Sequence, residues 1–343
     1  MKKIILFLLI VLMAKNTWAS YPNYTVCASG CDFTTFSLAI ADIQTNHPTL
    51  NAPTTITATD SSTETARITI SGITTSVTNT LTLTTSGSGA NGGKMPSGGS
   101  GGYLIKPSSN NAITITANNV IIKGLAIDES SVSSANAVSI SNYYTGISFI
   151  GNVIKGNTSG GQGLNFGAPR GNNYIINNVM YGFENGSPVS LNGTSDSGTY
   201  VYIYNNTVYD NYYGFNLNDG GVGGHIYFSN NIDSGKITAS IFDGTYITSG
   251  TKNICSDSSS CTASPLTNGT NNATSYSNYY TSYTTRDFSL KAGSILIRAG
   301  TDLSGTFTTD IAGNARTGWD VGAFYFQNIT DIKGATIKGA TIR

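Results

Sequence analysis

A segment that returns five times between residues 120 and 233 decides what this chain can fold into. The copies are 120–127, 147–154, 173–180, 201–208 and 226–233, and the aligned residues Leu125, Asn152, Asn178, Asn206 and Asn231 lie 27, 26, 28 and 25 residues apart. A period in this range marks a solenoid, in which each unit stacks only on its neighbours. Side chains alternate between the two faces of a strand. That turns inward Val120/Ile122/Ile127, Ile147/Phe149/Ile154, Ile175/Met180, Val201/Ile203/Val208 and Ile226/Phe228. A second strand precedes each copy, at 112–116, 137–141, 163–167, 188–192 and 214–218, with inward pairs running from Ile113/Ile115 to Phe215/Leu217. Short period-2 strands that turn at Asn and Gly describe an all-β parallel β-helix rather than a helical solenoid. The aligned asparagines read as a ladder inside a turn, each amide satisfying the backbone of its neighbour, and they are assigned no chemistry. Asp233 breaks the last inward row, so the regular coil is expected to fray there.

The coils, their turn asparagines and the motif Asn119-Val-Ile-Ile-Lys-Gly-Leu-Ala-Ile127 resemble the secreted right-handed parallel β-helix proteins of the pectate-lyase superfamily. Residues 287–294, Asp310-Ile-Ala-Gly-Asn-Ala-Arg316 and Trp319-Asp-Val-Gly-Ala-Phe324 are similar to the C-terminal segment of bacterial members. Tyr24-Thr-Val and residues 32–40 resemble their N-terminal cap, where Phe36, Ala39, Ile40 and Ile43 fit one face of a short capping helix. The resemblance implies one right-handed β-helix domain over 20–326, with a cap at about 20–50 and a C-terminal segment at about 287–326. A tail at 327–343 repeats Ile332-Lys-Gly-Ala-Thr336 at 337–341. Function follows less directly, because this fold hosts lyases, hydrolases, epimerases and adhesins. Tyr213-Gly-Phe215 resembles the opening of a motif in bacterial alginate epimerases. Asn216, Leu217 and Asn218 then stand where Asp, Pro and His would follow, so that activity does not carry over.

Ahead of the coils, Lys2 and Lys3 precede the apolar run Ile4–Ala14 and the sequence Thr17-Trp18-Ala19, the pattern of a secretory signal peptide over 1–19. The run is shorter than the roughly 20 apolar residues a bilayer span needs. The expected location is therefore secreted, extracellular or periplasmic, with no membrane span after cleavage. Cleavage would leave 15 Lys+Arg against 18 Asp+Glu, a net charge of −3. Charged residues make up only 10% of the chain, against about a quarter in an average domain. Thr, Ser, Asn and Tyr must cover the surface instead, and no basic face is available for nucleic acid. In an oxidising compartment Cys27/Cys31 and Cys255/Cys261 read as two local disulfides. Zinc is the weaker alternative, since neither pair has a nearby His. The Gly/Ser-rich stretch 86–102 reads as a flexible loop.

In the resembled family the substrate groove lies over the sheet of the second strands. Its floor here would be Thr114, Ser139, Asn165, Ser190 and Asn216, flanked by Thr116, Ser141, Asn192 and Asn218. Glycoside hydrolysis needs two carboxyls; lyase chemistry needs a base and a cation facing the uronate. This row holds no acid or base. Loops beside it carry Arg170, Asp196, Asp219 and His225, from coils stacked about 4.8 Å apart. Arg170 as cation, Asp196 or Asp219 as ligand or acid, and His225 as base form the catalytic alternative: a polysaccharide lyase, with calcium, or a glycoside hydrolase. On the opposite side lie Glu129, Lys155, Glu184 and Asp210, where Asp128 and Lys155 share an aligned position and read as a surface salt bridge.

Tyrosine supplies the positive signal. Tyr174, Tyr202 and Tyr227 fall at one outward position in three consecutive coils, Tyr204 lies in the neighbouring outward column, and Tyr181 and Tyr209 align three residues past the ladder. Such rows offer ring faces on which pyranoses stack, or the rings pack on one another and shield the sheet. The Thr-rich stretch 54–85 has no regular coil spacing. The reading is a secreted β-helix that binds a polysaccharide or cell-surface glycan through Tyr174, Tyr202, Tyr204, Tyr227, Asn165 and Asn216, with no cofactor or metal. The rivals are the enzyme above and an adhesive surface protein with a protein partner.

Overall fold

The computed structural model describes residues 23–97, 100–141, 143–193, 197–218, 223–234, 247–255, 266–267 and 276–327. The expected signal peptide over 1–19 and residues 328–343 of the tail lie outside them. The chain forms an all-β parallel solenoid of about seven turns. A complete coil carries three strands, not two, because the turn at the aligned asparagine divides each repeated segment. Segment 173–180, for example, becomes the strands Asn172–Ile176 and Val179–Tyr181. First halves stack into a ten-stranded sheet, second halves into a seven-stranded sheet, and the upstream strands into a six-stranded sheet. Ile56, Leu83, Ile122, Phe149, Ile175, Ile203 and Phe228 form one inward row in unbroken register, and all are fully buried.

The asparagine doublets divide two jobs between neighbouring residues. Asn177, Asn205 and Asn230 adopt φ of 55, 53 and 59°, the left-handed conformation that Asn tolerates better than most residues. The next residue turns its amide inward. Asn152 donates to Asn178 Oδ1 (2.9 Å), Asn178 to Asn206 (3.0 Å) and Asn206 to Asn231 (2.9 Å). The same amides donate to the carbonyls of Ile122, Phe149 and Ile175, so these buried groups have partners. Asn253 extends the ladder past Asn231 at 3.2 Å. Lys252 occupies the left-handed position there (φ 59°), which hides this coil from a search for Asn-Asn.

The expected N-terminal helix spans Phe36–Asn46, is capped by the Thr35 hydroxyl, and buries Phe36, Ala39, Ile40 and Ile43. Buried Glu64 accepts from the backbone N–H of Phe36 (3.0 Å) and Ser37 (2.9 Å) and from the Tyr103 hydroxyl (3.0 Å). Burial pushes its carboxyl above the usual range, while these donors at the positive helix end oppose that. Cys27 and Cys31 are disulfide-bonded with Cα atoms 5.6 Å apart. Cys255 is also disulfide-bonded, and Cys261 lies outside the described residues.

The C-terminal segment folds back over the outside of the solenoid. It begins with an antiparallel pair, Tyr280–Ser282 with Asp287–Leu290. Together with residues to Phe324 it buries a second core against the outward-facing Val153, Val179, Tyr181, Tyr209 and Ile232 of the seven-stranded sheet. The left-handed asparagines hold it there: Asn177 donates to Thr309 O (2.8 Å), Asn205 to Asp320 O (2.7 Å) and Asn230 to Thr301 O (2.8 Å). Half-buried Arg316 donates to Asn177 Oδ1 (3.0 Å) and Ala323 O (3.0 Å). Much of 86–102 departs from the expected flexible loop, because it is tied to this same segment. Lys94 pairs with Asp287 at 2.8 Å, and a Cβ on Gly93 (φ +83°) would come within 2.7 Å of the Phe324 ring. Among the described residues no helix is long and apolar enough to cross a membrane.

Candidate functional site: an aromatic face beside a cleft

The ten-stranded sheet carries an outward column Thr55, Thr82, Ile121, Ser148, Tyr174, Tyr202, Tyr227. Its early coils are threonine rows, since Thr55 pairs with Thr82 and Thr57 with Thr84. That regularity is invisible when the coils have unequal lengths. Its later coils are aromatic. Tyr174 and Tyr202 stack at 5.0 Å and 14°, and Tyr202 and Tyr227 at 5.2 Å and 12°. Those separations match the strand spacing of about 4.8 Å, so the rings stack along the solenoid axis. Faces that the sequence reading offered to sugars are therefore engaged with one another inside the stack, and among the described residues no ring stacks on the outer face of Tyr174 or of Tyr227.

A second pair lies beside this stack. Tyr200 and His225 occupy one rung-to-rung position and stack at 4.9 Å and 18°, with Tyr200 6.5 Å from Tyr202. Tyr200 escaped the sequence reading because it immediately precedes the repeated segment. All five rings are half-buried. Burial and the neighbouring phenols hold the Tyr202 hydroxyl above the usual tyrosine range. At the Tyr174 end a cleft of about 460 Å³ opens between the sheet and the C-terminal segment. Ser148, Ile150, Tyr174, Ile176, Tyr202, Gly305 and Thr306 line it.

Of the other outward tyrosines, Tyr204 meets this face with its ring tilted, 5.9 Å and 54° from that of Tyr202, whereas Tyr181 and Tyr209 lie under the covering segment. Tyr204 points outward but is only 8% exposed; its chain neighbour Asn205 is bound to Asp320 and Gly322 of the covering segment. Tyr181 and Tyr209 are buried against Phe288, with the Arg286 guanidinium 5.4 and 5.0 Å from their ring centres. Burial pushes the Tyr181 phenol up to about 12.

The six-stranded sheet has the expected outward row Thr114, Ser139, Asn165, Ser190, Asn216, and Asn192 Nδ2 donates to Asn165 Oδ1 at 2.8 Å. Asn165 and Asn216 thus belong to a different sheet from the tyrosines. The row is less neutral than its own residues imply, because Arg67 donates to Thr114 Oγ1 at 3.0 Å. Of the proposed catalytic set, Asp196 and Asp219 lie outside the described residues. Arg170 is exposed, with its guanidinium 4.6 Å from the Tyr143 ring centre, and Tyr143 is held at φ 71°. His225 is in register with Tyr200 and Asn172. Two rungs, about 10 Å, therefore separate His225 from the coil that carries Arg170. Asp128 meets Lys155 at 3.6 Å as the alignment implied, and also Lys106 at 3.4 Å. Glu129 is fully buried at the corner leading to the six-stranded sheet and accepts from Ala112 N–H at 2.7 Å. Burial pushes its carboxyl up to about 8. Among the described residues no three His, Cys, Asp or Glu side chains gather as a metal site.

Comparison with known proteins finds no matching family model, no matching curated protein and no matching solved structure.

Proposed function

We propose that this β-solenoid is a secreted glycan-binding protein whose binding surface is the aromatic face of the ten-stranded sheet. The observation that carries the reading is the row of five half-buried rings, Tyr174, Tyr202, Tyr227, Tyr200 and His225, beside a 460 Å³ cleft. Phenol edges give donors and acceptors at coil spacing, and ring faces at the stack ends give apolar surface, the pairing of properties that a sugar ring itself presents. Sequence resemblance to secreted β-helix proteins that act on polysaccharides agrees with this, as does the Cys27–Cys31 disulfide. Binding is favoured over turnover because Arg170 packs on Tyr143 in a coil two rungs from His225.

Affinity electrophoresis through gels cast with single polysaccharides tests the proposal. At least one gel should retard the protein, and Tyr174→Ala/Tyr202→Ala should restore free migration. Unretarded migration in every gel would sink the reading, and a cleared zone in the gel would replace binding with catalysis.

A further inference from the structure

We infer that the cleft beside Tyr174 holds one uncharged pyranose ring as the next member of the tyrosine stack, so that neutral, equatorially substituted hexose polymers are selected over uronates. This rests on the glycan-binding reading and specifies where and what it binds.

Tyr202 has a ring on both sides, at 5.0 and 5.2 Å. Among the described residues Tyr174 has one only on the Tyr202 side; its register partner in the preceding coil is Ser148, and the residue before that is Ile121. The stack therefore stops over a side chain far smaller than a ring, and the cleft, which Ser148, Tyr174 and Tyr202 all line, runs along this column and reaches the space over Ser148 where the next ring would stand. Its volume of about 460 Å³ falls among small-ligand sites, roughly 300–1,000 Å³. A hexose whose hydroxyls are all equatorial presents axial C–H groups above and below its ring, and one such face fits the free face of Tyr174. Its equatorial hydroxyls then point toward the rim, where Thr306 offers a hydroxyl partner, and toward the floor, where Ser148 offers another.

Charge decides between sugar classes. Among the described residues that line the cleft none is charged, and Ile150 and Ile176 form an apolar wall. A uronate carboxylate there would be desolvated without a counter-ion, which is costly. Lys123 is in register with Ile150 one coil earlier, so it stands at the border rather than on the wall. Glycine at 305 is not demanded by its backbone, which is outside the left-handed region, and a Cβ there would meet nothing within 4 Å. The lack of a side chain at 305 keeps the mouth of the cleft open.

Two substitutions fill the space from opposite walls. Ser148→Tyr places a protein ring where the sugar would stack, and Gly305→Phe fills the mouth from the covering segment. Isothermal titration of the full chain with cellohexaose and with hexagalacturonate, alongside thermal melts, reads the outcome. Cellohexaose should bind in preference to hexagalacturonate, and each substitution should weaken it by about tenfold or more with the melt retained. Undiminished cellohexaose binding by a folded Ser148→Tyr and a folded Gly305→Phe would overturn the site while leaving glycan binding in place. Preference for hexagalacturonate, or retardation by a polysaccharide gel without cellohexaose binding, would overturn the selectivity alone. No retardation in any gel removes the parent reading as well.

Discussion

Tyr174, Tyr202 and Tyr227 on the ten-stranded sheet, and Tyr181 and Tyr209 on the seven-stranded sheet, come from the same coils and both point outward. The first set stacks ring on ring and remains half-exposed, whereas the second is buried beneath Phe288 and the antiparallel pair. Within the solenoid the two columns are alike, each an aromatic row at coil spacing. What separates them is a segment more than seventy residues further along the chain, clasped by Asn177, Asn205 and Asn230. An aromatic row on a solenoid is thus surface or core depending on what folds over it.

The contrast should break most severely when the cover loses its central ring. Phe288 is 1% exposed and lies 5.8 and 5.3 Å from the Tyr181 and Tyr209 ring centres. Phe288→Ala is expected to cost about 3–5 kcal/mol in urea unfolding and to open Tyr181 and Tyr209 to nitration by tetranitromethane. A loss below about 1 kcal/mol would mean that the covering segment is not part of the cooperative core.

Alkaline pH sharpens the same contrast. Burial holds the Tyr181 phenol protonated up to about 12 in the folded chain, whereas in the unfolded chain it ionises near 10. Its contribution is complete below about pH 10 and is lost as pH climbs toward 12, a decline of about 2–3 kcal/mol. Denaturant titrations at about pH 9 and about pH 11.5 measure that decline. Other buried phenols, Tyr204 and Tyr280 among them, are also pushed up by burial and add their own losses, so Tyr181→Phe should make the decline shallower by about 2 kcal/mol rather than abolish it. An equally steep decline in Tyr181→Phe would assign it to other groups.

Loosening the clasp comes next. Asn205→Gly keeps the left-handed backbone but loses the bonds to Asp320 and Gly322, for about 1–2 kcal/mol. Asn205→Ala adds the strain of a Cβ at φ 53° and should cost about 1 kcal/mol more. Equal losses in the two variants would remove the conformational half of the argument. On the open face Tyr202→Ala deletes ring contacts with Tyr174, Tyr227, Tyr200 and Tyr204 but should cost only about 1–2 kcal/mol, since the ring is half-exposed. The smallest effect belongs to Lys155→Ala: Asp128 keeps Lys106 at 3.4 Å, so the loss should stay within about 0.5 kcal/mol and shrink in salt.

The coils were legible because their causes are local. Alternation placed Ile122, Phe149 and Ile175 inside, and the Asn ladder followed from a turn that recurs with each coil. The helix face Phe36/Ala39/Ile40/Ile43 was readable for the same reason. Alignment by repeat failed where the repeat is imperfect: at Tyr200, just outside the aligned segment, at Asn253, preceded by Lys252, and at Arg67, which reaches a row to which it does not belong. The candidate site was half legible. The column Tyr174/Tyr202/Tyr227 was in view, but the orientation of its rings along the axis, the cleft at its end and the burial of Tyr204 were not.

By itself, then, the sequence determined the solenoid, its inward rows and the outward position of its tyrosines, because strand alternation and left-handed turns are set by residues within one coil. Only the tertiary structure decided which tyrosine row stays open, what the outward asparagine of each doublet clasps, and where the ring stack meets a cleft. Those outcomes depend on contacts between Asn177 and Thr309, 132 residues apart, and between Tyr209 and Phe288. No periodicity along the chain encodes a meeting between segments so far apart.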